Sequence, residues 1–166
     1  MRRFRNSIKV LACLVLALSV FAGCGTKGAS GEVGEYKASM EKFFNNLKTV
    51  DTDINKINPD DQDAINQLFD QFDVLDKEFA SMAQLTVPTT GVPETFAYIP
   101  ELSKSASEYM TQANGYLHDS FSESSYNEHT LEAAMECYKR ANKRVQFIVT
   151  LLHGEYPKDD SISFGN

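Results

Sequence analysis

The chain has 166 residues, with 16 Lys and Arg against 23 Asp and Glu, and a formal charge of −7. That balance excludes a general affinity for nucleic acid, because phosphate binding needs clustered basic charge. The length allows one domain with a real core, and three cysteines are too few for a disulfide framework.

The first two dozen residues stand apart in composition. Arg2, Arg3, Arg5 and Lys9 make a cationic start, and Val10 to Ala22 is an almost unbroken apolar run of 13 residues. A membrane-spanning helix needs roughly 20 apolar residues, so this run is too short for a permanent span and fits a secretory signal core. Small residues then lead into a cysteine at Phe21-Ala22-Gly23-Cys24. This stretch resembles the lipobox of a bacterial lipoprotein, with Phe21 where that family usually carries Leu. The resemblance implies cleavage between Gly23 and Cys24, transfer of a diacylglycerol carrying palmitate-type acyl chains to the Cys24 thiol, and an extracytoplasmic protein held on the cell membrane by that lipid.

Loss of residues 1–23 leaves 143 residues carrying 12 Lys and Arg and 23 Asp and Glu, a charge of −11. So acidic a protein is not drawn to anionic lipid, and the acyl chains would do the holding, two chains being enough for stable anchoring. Cys13 departs with the leader and Cys24 is spent on lipid, leaving Cys137 alone and no intramolecular disulfide. From Gly25 to Gly34 the residues are small or polar, with a glycine at every third position. We assign residues 24–32 to the lipidated cysteine and a flexible tether, which reaches about 35 Å when extended.

Residues 33–156 read as four amphipathic helices. Val33, Tyr36, Met40, Phe43, Leu47, Val50, Ile54 and Ile57 step by threes and fours, as do Ile65, Leu68, Phe72, Leu75, Phe79, Met82 and Leu85. Asn58, Pro59, Asp60 and Asp61 suit the start of the second helix, and Val87-Pro88 to Pro93 makes the longest loop. The third stripe is Ile99, Leu102, Ala106, Tyr109, Ala113, Tyr116 and Ser120, with Pro100 in the first turn and Asn114-Gly115 as a point of fraying or kinking. Ser125-x-x-Glu128 has the form of a capping box for a last helix lined by Leu131, Ala134, Tyr138, Ala141, Val145, Ile148 and Leu152 and ended by Gly154 and Pro157. The predicted fold is all-α, an antiparallel up-down four-helix bundle. Two hairpins that open or dimerise are the second arrangement. Residues 157–166 form a tail expected to be disordered.

Several groupings raise the question of chemistry. Ser39-Met40-Glu41-Lys42 has the Ser-x-x-Lys spacing of penicillin-recognising serine enzymes but lacks their companion elements. Asp51-x-Asp53-x-Asn55 matches the opening of a calcium loop, yet Lys56 stands at the glycine position and Gln62 at the glutamate position. His118, Asp119, Glu123, Glu128 and His129 gather where the last two helices meet; they read as solvated loop residues rather than a metal site. Cys137 reads as a semi-buried small side chain. Tyr36, Phe43, Phe72, Phe79, Tyr109, Tyr116 and Tyr138 read as core aromatics, with Phe44, Phe69 and Phe121 beside the stripes.

Charge is the more informative surface feature. Residues 51–78 hold nine acids against Lys56 and Lys77, whereas the fourth helix carries Lys139, Arg140, Lys143 and Arg144. The second and fourth helices of an up-down bundle are diagonal, so opposite faces should carry opposite charge. The basic face is the expected partner surface. No cofactor, metal or catalytic set is expected. The chain is similar to the small helical lipoproteins of Gram-positive bacteria. The expected role is a non-enzymatic binding module for an envelope protein or a cell-wall component. A sensor or carrier holding a small ligand between its helices is the alternative.

Overall fold

The computed structural model describes residues 31–122 and 125–158. Residues 1–30, 123–124 and 159–166, among them Gly23, Cys24, Glu123 and the segments expected to be leader, tether and tail, lie outside the described residues. Among the described residues four α-helices dominate: α1 (Glu32–Lys56), α2 (Ala64–Ala83), α3 (Ile99–Ser120) and α4 (Glu128–Leu152). A 3-10 helix, Glu94–Tyr98, runs straight into α3.

Two-residue strands β1 (Phe121–Ser122) and β2 (Ser125–Tyr126) pair antiparallel between α3 and α4, with Phe121 opposite Tyr126. Nothing in the hydrophobic spacing foreshadows this ladder, which is too short to show alternation.

The helices pack as an antiparallel bundle, and side-chain contacts show it directly. Between α2 and α3, Phe69 stacks on His118, Asp73 meets Asn114, and Asp76 meets Thr111. Between α3 and α4, Gln112 meets Cys137, Tyr109 meets Arg140, and Ser105 meets Arg144. In both seams each step forward on one helix is matched by an equal step back on the other. Between α1 and α2, Phe43 packs edge-on to Phe79 and Asn46 bonds Glu78. The most extensive packing is between α3 and α4. There Ala106, Ala113, Ala134 and Ala141 are fully or almost fully buried, and small side chains let helix axes approach closely.

One core unites all four helices. Phe72 of α2 and Tyr138 of α4, each 1% exposed, lie 5.4 Å apart ring to ring. That contact joins the two halves into one body rather than two open hairpins. Burying an aromatic of this size contributes roughly 1.5–3 kcal/mol. Tyr36 touches Phe96, and the buried Thr95 hydroxyl donates to the Leu151 carbonyl at 2.7 Å. The start of α1, the 3-10 helix and the end of α4 therefore share one end of the bundle. The Ile57–Asp63 link and the β1–β2 ladder lie at the other.

The helix boundaries depart from expectation in three places. α2 begins at Ala64 rather than near Pro59. The Asn58 carbonyl accepts from the Asp61 N–H and its side chain accepts from the Asp60 N–H, so the chain makes turns before it makes a helix. α4 is capped by Asn127, whose side chain accepts from the Thr130 N–H, and not by a Ser125 capping box, because Ser125 belongs to β2. At the N-terminal end, α1 begins at Glu32 with Gly31 as its N-cap, φ 74°, and so takes in Gly34, the last glycine of the three-residue spacing. The α4 stop is as expected: Gly154, φ 80°, donates to Leu151, and Glu155 donates back to Thr150. Asn114-Gly115 causes no break, and α3 runs through to Ser120.

The third helix keeps most of its expected stripe, with Ile99, Leu102, Ala106, Ala113 and Ser120 buried, and departs from it at two positions. Met110 and Leu117 are fully buried, while Tyr109 is half-buried and Tyr116 is 40% exposed. The two tyrosines are not core residues.

Candidate partner-binding face

The cationic residues of α4 divide into pairs by what holds them. Lys139 makes an ion pair with Glu136 at 2.8 Å, and that bond is the chief reason the Glu136 carboxyl sits below its ordinary range. Lys143 lies 5.6 Å over the Phe147 ring, which α4 buries beside it. Arg140 and Arg144 both turn toward α3 and lie over Tyr109, at 5.7 Å and 4.7 Å from the ring centroid. Cations over an aromatic face are attracted by its quadrupole, by about 0.5–1 kcal/mol at exposed sites. Arg144 is fixed further. Its Nε donates to Ser105 Oγ at 3.3 Å, and Nη1 donates to the Arg140 carbonyl at 3.4 Å.

The same seam continues to Cys137, whose thiol donates to Gln112 Oε1 at 3.7 Å. Cys137 is half-buried, and burial is the main reason its thiol is harder to ionise than a free one; nearby Arg140 opposes that shift. Tyr116, seven residues beyond Tyr109 on the same side of α3, is exposed. The face is therefore the seam where Arg140 and Arg144 of α4 meet Tyr109 and Ser105 of α3, with Lys139 and Lys143 next to them on α4 and held by residues of α4 itself.

The acidic helix is less open than expected. Asp73 accepts from Asn114 at 2.8 Å and meets His118 Nε2 at 3.2 Å, while Asp76 accepts from Thr111 at 2.7 Å. Glu78 accepts from Asn46 at 2.9 Å. Three acids of α2 thus fasten the bundle rather than face away from it. The Asn114 bond chiefly holds the Asp73 carboxyl below its usual range. Asp60, Asp61, Asp63 and Asp70 remain exposed.

Ser39 donates to the Glu35 carbonyl on the helix surface, and Lys42 is exposed. Asp51, Asp53 and Asn55 lie within α1: Asn55 bonds Asp51 and Lys56 pairs with Asp53, a helical turn rather than a loop. His118 stacks on Phe69 at 4.2 Å, whereas His129 pairs with Glu132 at 3.5 Å. The histidines have separate carboxylate partners, and among the described residues no three His, Cys, Asp or Glu side chains group to hold a metal ion. No helix among those residues is long and apolar enough to cross a membrane.

Tyr109 and Ser105 escape a composition-based reading because each carries no charge. Antiparallel pairing of α3 with α4 is the signal that finds them, since it sets Ser105 and Tyr109 opposite Arg144 and Arg140. Comparison with protein-family models, curated proteins and solved structures finds no match.

Proposed function

We propose that this chain is an extracytoplasmic lipoprotein, anchored to the cell membrane through Cys24, whose bundle acts as a non-enzymatic binding module for an envelope partner. The observation that carries the reading is the juxtaposition in one chain of Phe21-Ala22-Gly23-Cys24 with a bundle that sets Lys139, Arg140, Lys143 and Arg144 along one helix. The tether enters at the end of the bundle formed by Tyr36, Phe96 and Leu151. That end is the one joined to the anchor, and the α3–α4 strip runs along the side of the bundle, open to a neighbouring envelope protein. Electrostatic complementarity at such a strip sets orientation and association rate more than affinity.

Cross-linking on intact cells, followed by mass spectrometry of what co-purifies, tests the reading. One recurrent envelope protein, lost from a Cys24→Ala form, is the expected result. Equal recovery of the same partner by the unanchored form, or no recurrent partner at all, contradicts it.

A further inference from the structure

Arg140 and Arg144 are one turn apart on α4, and like charges at that spacing repel. Among the described residues neither guanidinium has a carboxylate at ion-pair distance. The closest acid in sequence, Glu136, is held by Lys139 and acts on Arg140 only as a more distant charge. What positions the two side chains is uncharged: the Tyr109 ring, the Ser105 hydroxyl and a backbone carbonyl. Arg140 is exposed and Arg144 half-buried, so both stay within reach from solvent.

We infer that Arg140 and Arg144, braced by Tyr109, bind two carboxylates spaced one helical turn apart on an acidic helix of a protein partner. A guanidinium presents paired N–H groups that match a carboxylate; with Arg144 Nε given to Ser105, the N–H groups at its terminal edge are the ones offered, and four residues of helix rise about 6 Å on either partner. The tyrosine holds both cations before the partner arrives, which reduces the ordering cost of binding. Tyr116 extends the contact with an exposed ring.

The charge of the remaining surface separates this ligand from a wall polymer. A phosphodiester chain longer than the two arginines meets a mature domain of 12 cations against 23 acids, with Asp60, Asp61, Asp63 and Asp70 exposed. A helix with two local acids needs to meet only the two arginines, beside which Glu136 is already paired with Lys139.

This inference rests on the reading of the chain as a binding module, and the test separates the two. Fluorescence anisotropy of the mature protein should show saturable binding of a labelled helical peptide with Glu at i and i+4. The Gln counterpart should bind at least about tenfold more weakly. Arg140→Gln with Arg144→Gln should abolish binding of the Glu peptide, and Arg144→Lys, which keeps charge but loses the fork, should weaken it. Tyr109→Phe should leave it intact. Circular dichroism of each variant reports that the bundle is folded. No saturable binding of the Glu peptide, equal binding by the double variant, or tighter binding of poly(glycerol phosphate) than of the peptide overturns the inference. In cells, capture of the same partner by wild type and by the double variant overturns it while sparing the binding module. Absence of any partner of the wild type removes both.

Discussion

The Arg144 guanidinium lies 4.7 Å over the Tyr109 ring, so a residue placed in the core by its spacing is instead the support of the basic face. The arrangement is separable by a double-mutant cycle. Tyr109→Leu and Arg144→Gln, alone and together, should give a coupling of about 0.5–1 kcal/mol in denaturant unfolding. Tyr109→Phe, which keeps the ring, should give almost none of the loss.

Burial on α3 makes a second expectation. Met110→Ala and Leu117→Ala should each destabilise by about 2–5 kcal/mol, because both side chains are fully enclosed. Tyr116→Ala should stay within about 0.5 kcal/mol. Urea denaturation of the three variants checks the phase of the helix, and the opposite ranking would return the tyrosine to the core.

Asp73 gives a pH dependence of known sign. Its carboxyl is depressed below the ordinary value of 3.8, first by Asn114 and then by His118. A depressed folded pKa contributes stability that is present above 3.8 and lost as pH falls through the folded value. The side chain is 45% exposed, so solvent screening keeps the contribution under about 1 kcal/mol. Asp73→Asn should therefore be slightly less stable than wild type at pH 7, with the gap closing below pH 3.8. Thermal unfolding across that range measures it.

The ends of α4 are open to the same kind of test. Asn127→Ala removes the side-chain acceptor for the Thr130 N–H and should cost about 1 kcal/mol. Gly154→Ala places a Cβ on a backbone with φ 80° and should cost a similar amount, since only glycine adopts that region freely. Neither change should displace Arg140 or Arg144, which lie within the helix.

Much of the bundle was legible because one signal repeats four times. Apolar residues at threes and fours mark α1, α2 and α4, and those stripes are buried nearly throughout. α3 shows where the signal becomes ambiguous. Tyr109 and Met110, like Tyr116 and Leu117, are adjacent, and a step of three or of four from Ala106 or Ala113 satisfies the same pattern. The structure chooses Met and Leu, which carry no hydroxyl needing a partner, and leaves the tyrosines at the margin. The α2 start misled for a different reason. Asn58 and the aspartates after it stabilise turns as readily as helix ends, and here the turns win. The basic face was half legible: its charges stand in the sequence, but Tyr109 and Ser105 join it only through pairing of two helices.

The most direct measurement is the mass of the N-terminal peptide from membrane-bound protein. A lipoprotein gives a peptide that begins at Cys24 and carries a diacylglyceryl group on its thiol, and the Cys24→Ala form leaves the membrane fraction or stays uncleaved. A peptide beginning elsewhere, or an unmodified Cys24 on protein that remains with the membrane, would contradict the lipid anchor and with it the placement of the bundle at the cell surface.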